Sequence, residues 1–255
     1  MQFIDTHCHL YLPEFAEDLP EIFMRAEAAG VKKFYLPAID SSVINNMLAM
    51  EDNYPVKCFA MAGLHPCSVN EKYSDEINQV ENLLQKRSFA AIGEIGLDFY
   101  WSTEFTTQQY DVFAIQMQWA LEKNLPIVIH TRNAMQQTID FVKPFAAKGL
   151  QGIFHCFGGS YEDALQIMEM NFYLGIGGVL TYKKSGLDEI IKKISLEKIV
   201  LETDAPYLTP VPFRGKRNES SYIKIIAEKL AAVKNIAVEE VAAITTANAE
   251  KIFRK

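Results

Sequence analysis

Phe3-Ile4-Asp5-Thr6-His7-Cys8-His9 is the stretch from which the rest of the chain is read. Its apolar start predicts a β-strand. Side chains two apart in a strand share a face, so His7 and His9 point one way while Thr6 and Cys8 point the other. Two imidazoles side by side at the end of an apolar strand look like half of a metal site. The missing ligands then have to arrive on later strands that end at the same place.

Those strands are visible as apolar runs. They predict β-structure over Phe3–His9, Lys33–Ile39, Val56–His65, Ala90–Glu94, Ile127–His130, Gly152–His155, Phe172–Gly177 and Lys198–Asp204. Amphipathic spacing between them predicts helices over Glu14–Ala29, Ser42–Glu51, Asp75–Gln85, Thr106–Lys123, Met135–Ala147, Tyr161–Glu169 and Leu187–Ile194. Two further helices are expected after the last strand, over Tyr222–Val233 and Val238–Ile252. Continuous apolar strands alternating with helices indicate a parallel sheet covered on its outer side. Eight such units in 255 residues suit a closed barrel better than an open doubly wound sheet. The expected fold is thus α/β, a distorted (β/α)8 TIM barrel with an extra C-terminal helix, forming a single domain over 1–255. No linker or low-complexity tract divides the chain, and no sequence period suggests a solenoid.

Composition narrows the function. Hydrophobic residues make up 49% of the chain, enough for a sizeable core. No run reaches the ~18 consecutive apolar residues of a membrane span. The opening residues lack the basic and apolar segments of a signal peptide, so a cytoplasmic location is expected. The four cysteines show no Cys-x-x-Cys spacing and are expected to be free thiols rather than ligands. A net charge of −7 argues against a protein that coats nucleic acid, yet it permits one locally basic site. Lys183-Lys184 and Arg214-Gly215-Lys216-Arg217 are the basic clusters.

All five histidines fall at the end of an expected strand: His7 and His9 on the first, His65 on the third, His130 on the fifth and His155 on the sixth. Glu94 closes the fourth strand and Asp204 the eighth. In a barrel these ends meet on one rim, where the active sites of this fold lie. A lone histidine there is ordinarily a satisfied polar residue, but a full set at one level points to metal. Four imidazoles and two carboxylates exceed what one catalytic zinc takes from protein. The expected cofactor is two divalent ions (Mg2+, Mn2+ or Zn2+), with His7, His9 and Asp204 on one, His130 and His155 on the other, and Glu94 touching both.

The motifs Asp5-Thr6-His7-Cys8-His9, Gly63-Leu64-His65-Pro66, Gly93-Glu94-Ile95-Gly96-Leu97-Asp98, His130-Thr131-Arg132, His155-Cys156-Phe157-Gly158-Gly159 and Glu202-Thr203-Asp204-Ala205-Pro206-Tyr207-Leu208 run in order along the chain. With the loop Pro212 to Glu219, this set resembles the TatD family of metal-dependent deoxyribonucleases, within the amidohydrolase-like barrels. The resemblance implies the same six ligands, His7, His9, Glu94, His130, His155 and Asp204. It also implies a DNA or oligonucleotide substrate, attacked from a 3′ end on single strands, and leaves open whether RNA is cleaved too. One departure is visible: Ser220-Ser221 follows Asn218-Glu219 where the family usually has a proline, at the start of the next helix.

The expected reaction is hydrolysis of a phosphodiester by metal-activated water, which Asp204 orients. His65, surplus to the ligands, would contact the phosphate or pass a proton to the leaving oxygen. Arg132 shares parity with His130, and Arg214 lies in a Pro/Gly-rich loop after the last strand; both are placed to reach a phosphate. Tyr207 would stack on a base. Glu202, on the same face as Asp204, is a candidate to bind a water or a further ion, to orient a ligating histidine, or to be a buried acid bonded to its neighbours; Asp5 and Asp98 are candidates for the same supporting roles. No membrane or obligate protein partner is expected. Two alternatives compete: a binuclear hydrolase of a small amide, lactone or phosphotriester, and a metal-holding protein without turnover. Many relatives of the first kind bridge their ions with a modified lysine at the fourth strand, where Glu94 stands here.

Overall fold

The computed structural model describes residues 1–253. Its strands are β1 (Phe3–Asp5), β2 (Val31–Leu36), β3 (Cys58–Ala60), β4 (Ile92–Asp98), β5 (Ile127–Arg132), β6 (Gly152–Phe154), β7 (Tyr173–Ile176) and β8 (Ile199–Leu201). Around them lie α1 (Leu19–Ala28), α2 (Ile44–Asn53), α3 (Tyr73–Lys86), α4 (Thr106–Lys123), α5 (Met135–Ala146), α6 (Tyr161–Glu169), α7 (Leu187–Ile191), α8 (Ile223–Lys234) and α9 (Val238–Phe253). All neighbouring strands are parallel, and the order follows the sequence. Ladders β1 to β3 and β4 to β8 meet at two looser seams. One is the bridge between Ala62 and Ile92, where the Gly93 N–H donates to the Ala62 carbonyl at 2.8 Å. The other joins β8 to β1, where the Thr6 N–H donates to Leu201 O at 3.1 Å and the Asp204 N–H to His7 O at 2.9 Å. The result is a TIM barrel whose irregularity is concentrated at those seams.

Alternation along each strand sorts the apolar residues. Ile127, Ile129, Ile199 and Leu201 pack outward against the helices. Ile4, Tyr35, Val128, Ile153, Tyr173 and Val200 fill the barrel interior together with Ala249, Ile252 and Phe253 of α9. The additional C-terminal helix therefore stoppers the end of the barrel opposite the histidines. Phe253 stacks on Tyr35 with ring centroids 3.7 Å apart. Asn248 ties α9 to the start of β8 by donating to Leu196 O and Ile199 O at 2.8 and 2.7 Å. Among the described residues no helix is long and apolar enough to cross a membrane.

Several boundaries differ from those expected. β1, β3, β6 and β8 stop short, so His7, His9, His65, His155 and Asp204 sit on the loops just beyond rather than on strand ends. Asp204 has φ +58°, a left-handed conformation that no strand accommodates. β4 errs the other way and continues to Asp98, which puts Glu94 inside the strand. α1 begins at Leu19 because Pro13–Phe15 forms a separate 3-10 turn and Pro20 sets the first turn of the helix. The serines that depart from the family pattern form another such turn, Ser220–Tyr222, ahead of α8.

The stopper predicts a specific cost. Phe253→Ala should lower unfolding stability by about 3 kcal/mol, read as a reduced urea midpoint, because the cavity opens in the closed end of the barrel. Met24→Ala, at a side chain 69% exposed, should change it by less than about 0.5 kcal/mol. Equal effects at both positions would contradict this packing.

Candidate metal centre

Each side chain of the rim is brought there by a different local device. Asp5, at the end of β1, accepts the Thr203 N–H at 2.9 Å and the Thr203 hydroxyl at 2.6 Å, with the His7 N–H at 3.4 Å. One buried carboxylate thereby staples the loop carrying His7 to the loop carrying Asp204. Burial pushes that carboxyl up to about 7, against the lowering effect of its hydrogen bonds. Glu94 depends on a bulge: Gly93 pairs with Val128 and Ile95 with Ile129, leaving Glu94 as an extra residue in β4. Plain alternation would place Glu94 with Ile92, which faces the helices; the bulge turns it into the barrel. Gly96 lets β4 pass close beside β5, since it has φ +146° and a Cβ there would collide with the His130 carbonyl. Gly175 leaves the space that the Glu202 carboxylate occupies.

These devices gather the other five expected ligands around Glu94. Its Oε2 lies 3.1 Å from His7 Nε2 and 3.8 Å from His9 Nε2. Its Oε1 lies 2.8 Å from His155 Nε2, 2.9 Å from His130 Nδ1 and 3.4 Å from His65 Nε2. Asp204 Oδ1 is 3.6 Å from both His7 Nε2 and His9 Nε2. The two oxygens of a single carboxylate therefore face two different groups of imidazoles. Glu94 is held well below the usual carboxylate range: burial alone would raise it, but His155, His7 and His65 outweigh burial. The Asp204 carboxyl is also lowered, by the hydrogen bond to His9 and the charges of His155 and His7, against the opposing effect of burial.

The residues fit a cation. His7 Nε2 and His9 Nε2 are 3.3 Å apart, too close for both to carry a hydrogen aimed at the other. That spacing is close to the ~3.3 Å edge expected of a tetrahedron with zinc–nitrogen bonds of about 2.0 Å. The buried Nδ1 atoms of His7 and His155 and Oε2 of Glu202 have no hydrogen-bond partner among the described residues. Donor atoms within 4.8 Å of one another fall into the groups His7–His9–Glu94, His7–His155–Asp204 and Glu94–His130–His155. With imidazole and carboxylate as donors, Zn2+ and Mn2+ suit the set.

Supporting contacts orient the rings. The Tyr11 hydroxyl donates to Pro37 O at 2.5 Å, so its oxygen accepts from His9 Nδ1 at 2.9 Å and leaves the His9 Nε2 lone pair facing the cup. Glu202 Oε1 accepts the Cys156 N–H at 2.5 Å and stands 3.5 Å from His155 Nδ1. His130 spans two carboxylates, Glu94 through Nδ1 and Asp98 through Nε2, each at 2.9 Å. Burial opposes its charge, but these two bonds raise its pKa. His65 is lowered by burial, and its Nδ1 accepts the Cys67 N–H at 3.0 Å. The neutral ring therefore carries its hydrogen on Nε2, toward the cup.

One participant, Tyr11, escaped the sequence reading. Tyr11 is two residues beyond His9, but its acceptor Pro37 lies in another β-α unit. Cys67 sits with His65 and His130 in a further group of possible donors, although the cysteines were expected to stand apart from the ligands. Its spacing of two from His65 was the available signal. Burial pushes the Cys67 thiol up to about 12, which disfavours the thiolate.

The expected substrate contacts are spread around the mouth. Tyr207 is half exposed, with its ring centroid 6.1 Å from that of His9. Arg132 lies over Tyr100, its guanidinium 3.8 Å from the ring centroid, and Arg214 lies over Tyr182 at 4.4 Å. Arg217, from the same basic run as Arg214, is paired with Asp18 at 2.6 Å. Arg25 holds Glu219 at 2.7 Å and so braces that loop from α1.

Tyr11→Phe removes only the oxygen that accepts from His9. Apo protein carrying it should bind Zn2+ about 10–100-fold more weakly by calorimetric titration, and it should lose only about 1–3 kcal/mol of unfolding stability because Pro37 O loses its donor. Unaltered affinity would show that Tyr11 does not orient the ring.

Comparison with known proteins accords with this geometry. A family model described as "TatD related DNase" matches residues 4–254. The chain is 39% identical over 251 residues to the uncharacterized metal-dependent hydrolase YabD of Bacillus subtilis, covering 98% of each protein. It is 31% identical to the 3′-5′ ssDNA/RNA exonuclease TatD of Citrobacter rodentium, covering 98% of this chain and 97% of that one. The crystal structure of YjjV, a TatD homologue from Escherichia coli K12, superposes with a TM-score of 0.93 at 28% identity, over 99% of this chain and 98% of the other. Matched almost end to end in sequence and in fold, this chain belongs to the TatD family of metal-dependent hydrolases.

Proposed function

We propose that the protein hydrolyses phosphodiester bonds of nucleic acid, acting as a 3′-5′ exonuclease on single strands of DNA and also on RNA. The observation that carries this reading is the placement of Glu94, with Oε2 toward His7 and His9 and Oε1 toward His130 and His155. One carboxylate between two imidazole pairs is the arrangement that holds two divalent ions side by side. When bound, such ions lower the pKa of water toward neutrality and offset charge on the phosphate oxygens. A relative of 31% identity named as a 3′-5′ ssDNA/RNA exonuclease supports the choice of substrate.

The chain's own groups supply the rest. Asp204, at the mouth beside His7 and His9, accepts a proton from the attacking water and orients it. His65 presents its Nε2–H as a hydrogen-bond donor to the leaving oxygen or to a phosphate oxygen, because its other nitrogen is taken by Cys67, and solvent water protonates the leaving oxygen. Arg132 and Arg214 stand at the rim to meet flanking phosphates, and Tyr207 to stack on a base. With a net charge of −7, the protein suits capture of a chain end better than coating of a duplex.

Glu94→Ala should abolish metal-dependent release of mononucleotides from a single-stranded oligonucleotide, by at least about 10³-fold. Its circular dichroism should match that of the wild type. Retained activity in a folded variant would refute the bridging role.

A further inference from the structure

The loop after β4 carries an aromatic pair that the proposed reaction leaves unused. Tyr100 and Trp101 are both exposed, Trp101 to 68%. Their rings meet edge to face with centroids 4.9 Å apart. The Arg132 guanidinium, at the end of β5, covers Tyr100 at 3.8 Å and stands 5.2 Å from the Trp101 ring. The pair is anchored: Asp98 Oδ1 accepts the Tyr100 and Trp101 N–H groups at 2.8 and 3.2 Å. The other oxygen of that carboxylate is 2.9 Å from His130 Nε2. One side chain thus ties the aromatic pair to an imidazole of the metal cup. β4 and β5 lie half-way round the barrel from β8 and β1, so this pair and Tyr207 flank the cup from opposite sides.

We propose that Tyr100, Trp101 and Arg132 form a stacking subsite for one nucleobase of a single-stranded substrate, on the side of the scissile phosphate away from Tyr207. This assignment rests on the phosphodiesterase reading. Ring stacking accepts any base, because every base has a π-face. The guanidinium beside the rings adds a cation for the adjoining phosphate. A base within a duplex has both faces covered by its neighbours, so the subsite favours unpaired ends. Aromatic groups on both flanks of the cup suit a strand with a nucleotide on each side of the bond to be broken.

The chain has two tryptophans, Trp101 and Trp119, and the latter packs against the core. Trp119→Phe therefore leaves Trp101 as the only reporter. With a chelator present to prevent turnover, a single-stranded oligonucleotide should quench its fluorescence, and an abasic strand of equal length should not. With metal restored, Trp101→Ala should raise KM for the ordinary oligonucleotide about tenfold, with the change in KM rather than kcat, and Trp101→Phe should largely restore it. Hydrolysis of the oligonucleotide with no quenching and an unchanged KM overturns the subsite and leaves the reaction standing. Equal quenching by the abasic strand also overturns it, since backbone contact then accounts for the signal. Base-dependent quenching in a protein that hydrolyses no strand supports the subsite and overturns the reaction.

Discussion

Everything at the mouth of this barrel turns on one buried carboxylate surrounded by imidazoles. Glu94 is 3% exposed, and nitrogen atoms of His7, His130 and His155 lie within 3.1 Å of its oxygens. A carboxylate so placed would be costly to bury alone, and imidazoles so crowded could not all be charged. Without an ion, the cationic part falls to His155, between Glu94 and Glu202, and to His130, held between Glu94 and Asp98, because these carboxylates outweigh the opposing effect of burial. With an ion, the ligating nitrogens must give up their protons, so metal binding and protonation compete for the same lone pairs. The cup is a preformed donor set in which the fold has already met the cost of bringing the groups together.

The scaffold serves that carboxylate in two ways. The bulge in β4 aims it inward, and Gly96 allows β4 to lie against β5 at the height of His130. The weak seam between β8 and β1 would leave the His7 and Asp204 loops independent, and the Asp5–Thr203 bonds remove that freedom. At the far end, α9 stoppers the barrel with Ile252 and Phe253, so the apolar contacts that hold the cylinder closed are remote from the chemistry. The barrel interior is apolar at one end and polar at the other.

Much of this was legible in the sequence because ligand-type residues are few. Five histidines in 255 residues, all beside apolar runs, leave little choice of where they converge. The barrel was legible for the same reason, since eight apolar segments alternate with amphipathic ones. Geometry was less so. Strand parity suggested that His7 and His9 share a face, and their Nε2 atoms do meet, yet they do so on a loop beyond β1. Glu94 was singled out as a strand end, whereas it lies inside β4 and points inward only through an extra residue that no alternation rule reveals. Tyr11 and the aromatic pair at Tyr100 and Trp101 were missed because their roles depend on partners in other β-α units, Pro37 and Arg132.

The proposed chemistry depends on Glu94 standing between two cations. Anomalous diffraction from crystals soaked in Mn2+ measures this directly. Two peaks ~3.5–4 Å apart are expected, with the Glu94 carboxylate between them, one beside His7 and His9 and the other beside His130 and His155. A single peak among His65, Cys67 and His130, with none touching Glu94, would contradict it.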